Sequence, residues 1–358
     1  MIKRVKYKKF RGFNEIELSD FKPITLISGK NNAGKSSVLE GLFLAFDHLA
    51  PDSFVKINQF RGMPISSEPI SLWEPMFYNL NTAEPLCIEM DLDNSKIELE
   101  YVRDDSYVPS PSTSLGIEPD ALNQFITSAK STYTMKFLFK KDEYIEEGHF
   151  ITSPSGLMRN LSTNEENKQI KPMPRVQFIN SSITGNANII IEWFGKLELE
   201  GKKQQVIDIL KIVDASISDV TTIAMNNQIQ LYARINEKLL PLKVAGDGLN
   251  KLLFIILAIL ENPKSVILVD EIETGFHYST YSKLWETIAK AAKESECQVI
   301  ASTHSYECIV GAIEGMEKAG TEEDFCYFRI NKNDSKSFAY RYSDELLRTA
   351  IMTEMEVR

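Results

Sequence analysis

The chain has 358 residues, 43% of them hydrophobic and 25% charged, which allows one large or two ordinary domains around a sizeable core and excludes wholesale disorder. Lys and Arg total 40 against 50 for Asp and Glu, a net charge of −10, so a generally cationic nucleic-acid binder is excluded, though a local basic strip is not. The 4 cysteines, Cys87, Cys297, Cys308 and Cys326, lie far apart with no CxxC pair and read as free thiols of a reducing compartment.

Residues 1–28 read as strands and turns, with Pro23 ending a loop and Ile24–Ile27 a short buried strand. Ser28-Gly29 leads into a glycine-containing turn. Ser36–Phe46 then has helical spacing, with Leu39, Leu42, Phe43 and Phe46 on one face. Residues 49–174 read as an inserted, β-rich lobe. Lys96–Val102 and Thr132–Lys140 alternate, and Lys141-Asp142 turns into a third strand, Glu143–Ile151. Asp104–Pro119 and Thr152–Pro174, rich in Ser, Pro and Asn, read as loops. Leu72–Tyr78 reads as core packing of the lobe or as a partner contact.

From Arg175 the pattern becomes regular. It predicts a strand (Val176–Ile179), two helices (Ile190–Leu197, Lys202–Val213) and a hairpin (Val220–Ala224, Ile229–Ile235) turning at Asn226-Asn227. A buried helix (Leu249–Leu260) and an apolar strand (Val266–Val269) follow, then a helix (Ser279–Lys293) and a second apolar strand (Gln298–Ser302). Two strands (Phe325–Asn331, Ser337–Tyr342) and a helix (Asp344–Met355) end the chain. Alternating strands and helices predict an α/β core with a mostly parallel sheet. The longest apolar run, Leu252–Leu260, closes at Lys251 and Glu261, well short of the roughly 20 residues that span a bilayer. The charged start MIKRVKYKKF has no apolar stretch or cleavage site, so a cytoplasmic location is expected.

Gly29-Lys30-Asn31-Asn32-Ala33-Gly34-Lys35-Ser36 fits G-x-x-x-x-G-K-[ST] between a strand and a helix. Such a turn aims backbone N–H groups of Gly29, Asn31, Asn32, Ala33 and Gly34 at phosphate oxygens. The helix N-terminus, which also carries Ser37, adds a positive end. Lys35 reaches the β- and γ-phosphates and Ser36 ligates Mg²⁺. Val266–Val269 ends in Asp270-Glu271, where open α/β sheets place ligands. Asp270 would hold Mg²⁺ and Glu271 would act as general base. His304, after the strand Gln298–Ser302, could hydrogen-bond a γ-phosphate. Gly246-Asp247-Gly248 opens the helix before Asp270 and makes another anion-seeking N-terminus. His277 falls near a strand end, while His48 and His149 have no such context.

In order and spacing these motifs resemble the ATP-binding-cassette ATPases. Phe10-Arg11-Gly12-Phe13 is similar to the opening of the RecF and SMC-like branch, and Glu273-Thr274-Gly275-Phe276-His277 to a motif of the same branch. Gly246-Asp247-Gly248 resembles the signature of OLD-type and related AAA-annotated prokaryotic ATPases. The resemblance covers roughly residues 1–48 and 175–342. It implies an ABC-ATPase head: an N-terminal lobe with Walker A (1–48), the inserted lobe (49–174), and a helical signature lobe with the Walker B and switch-histidine core (175–358). It also implies ATP and Mg²⁺ as cofactors and a head-to-tail homodimer, in which Gly246 and Gly248 act in trans. Arg11 and Asn32 would lie near base and ribose, and Gln177 or Gln59 would be the Q-loop ligand to Mg²⁺. Gly246 stands where that family has serine and Asp247 where it has glycine. A carboxylate near a triphosphate is unfavourable without an intervening cation, so slow turnover is expected.

Long coiled-coil arms and a C-terminal acidic metal cluster are both missing from the sequence, which argues against rod-like DNA tethering and a built-in nuclease. The resemblance implies a switch ATPase acting on a separate effector, a nuclease or toxin, in prokaryotic antiviral defence. The alternative is a RecF-like DNA-associated repair ATPase, for which Lys3, Arg4, Lys6, Lys8, Lys9 and Arg11 form the dense basic run. A lysine-guarded edge strand would explain that run equally.

Overall fold

The computed structural model describes residues 1–63, 72–107, 133–153, 156–161, 173–180, 187–225, 228–333, 336–353 and 355–357. The chain begins β1 (Ile2–Phe10), β2 (Phe13–Ser19), β3 (Ile24–Gly29), α1 (Lys35–Phe46) and α2 (Ser53–Phe60). Five strands follow: β4 (Leu86–Leu92), β5 (Ser95–Arg103), β6 (Tyr133–Lys141), β7 (Tyr144–Ser153) and β8 (Gly156–Leu161). Next come β9 (Val176–Ile179), α3 (Ala187–Leu199), α4 (Lys203–Leu210), β10 (Ile217–Met225), β11 (Gln228–Ile235), β12 (Lys238–Pro241) and α5 (Asp247–Glu261). The remainder is β13 (Val266–Val269), α6 (Tyr281–Glu294), β14 (Gln298–Ser302), α7 (Tyr306–Ala319), β15 (Phe325–Asn333), β16 (Lys336–Tyr342) and α8 (Asp344–Met352). Two compact units share these elements. Residues 1–21, 32–173 and 330–340 make the first, and residues 22–31, 174–329 and 341–358 the second.

The first unit is built on an antiparallel sheet ordered β2-β1-β4-β5-β6-β7-β8. Strand alternation sorts its two faces. One row of register partners, Ile16, Tyr7, Ile88, Leu99 and Phe139, is buried from strand to strand. The adjacent row is Glu17, Lys6, Glu89, Glu98 and Lys140, a charged outer face. Helix α1 lies on the apolar face. Tyr7 donates its hydroxyl to the Val38 carbonyl at 2.7 Å, and Gly41 permits the approach, since a Cβ there would stand 2.3 Å from the Tyr7 ring. Leu72, Trp73, Met76 and Phe77 are buried, so the Leu72–Tyr78 stretch is core rather than a contact surface.

Two expectations change here. Gly156–Leu161, read as loop, is the strand β8, revealed by its pairing with β7; Arg159 is exposed on it while Asn160 is buried. The basic run is no edge strand, since β1 lies between β2 and β4. Its cations each have an acid: Lys3–Asp93 at 3.0 Å, Arg4–Glu17 at 2.7 Å, Lys6–Glu15 at 2.9 Å, Lys8–Glu89 at 2.6 Å and Lys9–Glu84 at 2.7 Å. A face so balanced is not a track for phosphates.

In the second unit β9, β13, β14 and β3 pair in parallel, in that order. Strands β13 and β14 are buried throughout, which is why they read as plain apolar runs. The parallel register brings the carboxyl ends of all four to one edge. Val269 is level with Ile179 and Ala301, and Ser302 with Ile27. A smaller antiparallel sheet, β10-β11-β12, accompanies helices α3–α5; Asn226-Asn227 at its expected turn falls outside the described residues. Helix α7 was not foreseen. It packs on α6 through two interior glycines: a Cβ at Gly311 would stand 2.5 Å from Tyr281, and one at Gly315 2.6 Å from Trp285. The cysteines are all unpaired, and no described helix is long and apolar enough to cross a membrane.

His48 tests the first unit's core. Its ring stacks on Phe139 with centroids 3.6 Å apart, and burial pushes its imidazole down to about 4. A base with a depressed folded pKa is protonated first in the unfolded chain. Its contribution is therefore intact above about pH 6.5 and lost as pH falls towards about 4, by about 3 kcal/mol in all. His48→Phe keeps the stack and cannot protonate. Its urea-unfolding stability relative to wild type should rise by that amount from about pH 7 to about pH 4. A difference independent of pH would refute the assignment.

Candidate functional site: a phosphate loop and an acidic strand end

The loop between β3 and α1 has the backbone its sequence requires. Gly29, Asn32 and Gly34 all have positive φ, at 151°, 62° and 106°. Helix α1 begins at Lys35, with Gly34 at its N-cap position, no side-chain cap and no acid in its first turn. The N-terminus of a long helix carries a positive dipole end, so the partner that suits it is an anion. Lys35 and Ser37 are buried, Ser36 is half-buried, Ala33 is buried, and Asn31 and Asn32 are exposed. The boundary between the two units falls inside this loop, after Asn31.

The Phe10–Phe13 opening supports the loop from within the first unit. A Cβ on Gly34 would stand 2.3 Å from the Phe13 ring, so only glycine lets the loop lie on that aromatic. Arg11 is engaged within the first unit. Its Nε donates to Glu40 Oε2 at 3.0 Å and its Nη1 to the Pro75 carbonyl at 2.9 Å, while Nη2 is buried without a partner. Arg61 grips the same Glu40 through two bonds of 2.6 and 3.0 Å and reaches Ser37 Oγ at 3.2 Å. Glu40, 1% exposed on α1, thus ties two arginines to the helix that begins with Lys35. Neither Glu40 nor Arg61 was singled out from the sequence. A lone acid on the apolar face of the helix was the available signal.

At the carboxyl edge of the parallel sheet the second unit gathers acids around one turn. Asp270 follows β13 and its N–H donates to the Ile179 carbonyl at 2.8 Å. Ser302 Oγ donates to Asp270 Oδ1 and accepts from the Glu271 N–H at 2.8 Å. Glu271 has φ 47°, the left-handed region that a non-glycine residue enters only at a cost. His304 Nε2 stands 3.4 Å from Glu271 Oε1 and 3.6 Å from Glu273 Oε1, and its backbone N–H donates to Glu273 Oε1 at 2.7 Å. His304 Nδ1 and Glu273 Oε2 are buried with no hydrogen-bond partner. The structure brings Asp270, Glu271 and His304 together with Glu273 and Ser302.

Lys251, which in the sequence closes an apolar run, is 1% exposed inside α5, and its ammonium donates to the carbonyls of Asp270 and Glu271 at 3.1 and 2.5 Å. Burial pushes it down to about 8, against the upward pull of Glu273, Asp270 and Glu271.

The remaining candidates divide. Gly246, with φ 124°, has open space where a Cβ would point. Gly248 has none: a Cβ would stand 2.2 Å from the Gly275 carbonyl oxygen, so this glycine has a packing job within its own chain. Asp247 is the first residue of α5, exposed, where an acid suits the helix dipole. Gln177 is corrected as a ligand beside Asp270. It pairs with Ile267, three positions short of Asp270 and about 10 Å away along the strand. Asn180, directly after Ile179, occupies the level of Asp270. Gln59 is exposed on α2. His277 is exposed and caps its own turn through Ser279. Among the described residues, no three His, Cys, Asp or Glu side chains converge as metal ligands.

A profile of the family described as "AAA domain, putative AbiEii toxin, Type IV TA system" matches residues 24–309. The chain belongs to this AAA family. It is an ATPase domain of the AAA kind. An "ATP/GTP phosphatase" of Helicobacter pylori is 26% identical over 368 residues, covering 96% of this chain and 94% of the relative. In fold the chain is similar to an Smc head bound to the C-winged helix domain of ScpA, with a TM-score of 0.52, 14% identity, and coverage of 97% and 99% of the two chains. An Smc head with an extended coiled coil, bound to the C-terminal domain of ScpA derived from Pyrococcus furiosus, gives 0.50 and 12%, with coverage of 99% and 98%. The SMC-head α/β fold expected from the resemblance is thus present.

The Glu40 network yields a contrast. Glu40→Leu leaves the buried Arg11 guanidinium without its carboxylate and should cost about 3–5 kcal/mol in urea unfolding. Arg61, 40% exposed in its side chain, has water as an alternative partner, so Arg61→Leu should cost under about 1 kcal/mol. Equal losses would show that Glu40 is not held chiefly by Arg11.

Proposed function

We propose that the chain is an ATP-hydrolysing switch that dimerises head to tail and controls a separate effector protein in prokaryotic defence. The observation that carries the hydrolytic part is the turn at Asp270–Glu271. There a glutamate in the left-handed region stands 3.4 Å from His304, at the edge where the phosphate loop leaves β3. In this reading the N–H groups of Gly29, Asn31, Asn32, Ala33 and Gly34 receive phosphate oxygens. Lys35 neutralises the β- and γ-phosphates, and Ser37 assists at the helix N-terminus. Ser36 and Asp270 would hold Mg²⁺, which offsets phosphate charge; a donor set this small suits an ion that arrives with phosphates and waters. Glu271 takes a proton from the attacking water, and His304 contacts the γ-phosphate and senses its departure. The orphaned His304 Nδ1 and Glu273 Oε2 are polar atoms that a bound group or water can satisfy.

The name of the Helicobacter pylori relative supports nucleoside-triphosphate hydrolysis and suggests that GTP be tested beside ATP. The family description supports a place in toxin–antitoxin or defence biology. The Smc heads, each bound to a ScpA domain, support an ATPase head that works through a partner protein. Gly246 and its neighbours at the start of α5 would meet the partner subunit's nucleotide, and the open space at Gly246 suits that use. The DNA-repair alternative rested on the basic run, which is ion-paired residue by residue.

Glu271→Gln should lower phosphate release at least about 100-fold while leaving nucleotide binding intact. The same variant with ATP should run at twice the monomer mass in sedimentation. Turnover at the wild-type rate would remove Glu271 as the base, and a constant monomer mass would remove the ATP-driven dimer.

A further inference from the structure

Glu271 is held in place from both sides of its peptide. On one side its N–H donates to Ser302 Oγ at 2.8 Å. On the other its carbonyl accepts from the Thr274 N–H at 2.9 Å and from Lys251 Nζ at 2.5 Å, while the same ammonium also takes the Asp270 carbonyl at 3.1 Å. With φ at 47°, Glu271 lies outside the basins an L-residue prefers, and such a conformation persists only where its surroundings over-determine it. Thr274 and Ser302 belong to the turn and to the next strand. Lys251 comes from α5, the helix that opens with Gly246-Asp247-Gly248.

An ammonium 1% exposed is an expensive group in an otherwise apolar helix, where Leu252, Leu253 and Ile255 are fully buried. Its contacts explain why it is there: they are two backbone carbonyls of the acidic turn and the surrounding charges of Asp270, Glu271 and Glu273. The first turn of α5 is locked to the same segment a second time, because Gly248 backs directly onto Gly275. A displacement at the start of α5 therefore reaches the Glu271 peptide through a short, buried and charge-assisted path.

We infer that Lys251 is a positioning residue for the hydrolytic base: it holds the Asp270–Glu271 turn in the left-handed conformation that presents the Glu271 carboxylate beside His304, and it links that turn to the Gly246–Gly248 helix start. The inference rests on the proposed role of Glu271 and adds a residue that acts through it. Without the ammonium, two carbonyls lose their donor and the Glu271 peptide can relax towards a commoner basin. The carboxylate then leaves its position while the phosphate loop is untouched.

The test is steady-state kinetics on the full chain with ATP, together with binding of a fluorescent ATP analogue. Lys251→Met, which keeps length and removes the donor, should lower kcat by about 10- to 100-fold with KM within about threefold of wild type. In the Glu271→Gln background the same substitution should cause no further loss, because its effect passes through the missing carboxylate. Lys251→Gln, which restores one donor, should recover part of kcat. Lys251→Met at the wild-type rate overturns the inference, as does an equal loss in both backgrounds. So does failure of both Met and Gln variants to fold, since Lys251 would then be a stability element only. Glu271→Gln at the wild-type rate would instead overturn the base assignment, an outcome distinguishable from the others.

Discussion

The constraint on which the site depends is the parallel pairing of β13 between β9 and β14. A strand buried on both faces must end abruptly, and its first polar residues must find donors at once. Asp270 does so by donating its N–H to the Ile179 carbonyl of β9 and accepting at its carboxylate from Ser302 Oγ of β14. Glu271 then has to leave the sheet in a left-handed turn. Two acids in succession are tolerated because the neighbouring strands and α5 supply their hydrogen bonds.

The phosphate loop is supported differently. Its geometry is that of backbone with positive φ, and in the first unit what holds it is contact below the helix start. Phe13 fills the space under Gly34, and Glu40 anchors α1 between Arg11 and Arg61. This gives the Phe10–Phe13 opening a physical role that does not depend on touching a ligand. Through Ser37, Arg61 also brings a guanidinium to the first turn of α1. An arginine placed there reinforces a helix end already poised for negative charge.

What was legible in the sequence follows from how locally each feature is determined. The strands Val266–Val269 and Gln298–Ser302 were read to the residue, because fully buried strands are unbroken apolar runs with polar stops. Helix α7 was legible and missed. Ser305 caps it by accepting from the Cys308 N–H, and Gly320 ends it with φ 62°. Its interior glycines, which lower helix propensity, mark the close approach to α6. The basic run was not legible as balanced charge, since its acids lie on β2, on β4 and just outside β4 at Glu84 and Asp93, and only the strand pairing brings them opposite. Lys251 was hidden for a similar reason: a lysine beside an apolar run looks like a boundary until its carbonyl partners are known.

Charge places one further demand on the acidic edge. Asp270, Glu271 and Glu273 stand around a single ammonium, that of Lys251. Three carboxylates against one cation leave the turn negative, and at separations of a few ångströms in a partly desolvated site a bare triphosphate would be repelled by several kcal/mol. An anion can approach such an edge only if it brings a cation with it. Lys251 bonds backbone carbonyls rather than a single carboxylate. A direct ion pair would fix one acid and leave the turn free to relax, whereas bonds to two successive carbonyls fix the peptide from which the Glu271 side chain extends. The backbone of the turn is thus held by bonds separate from those its side chains make to Ser302 and to the His304 N–H.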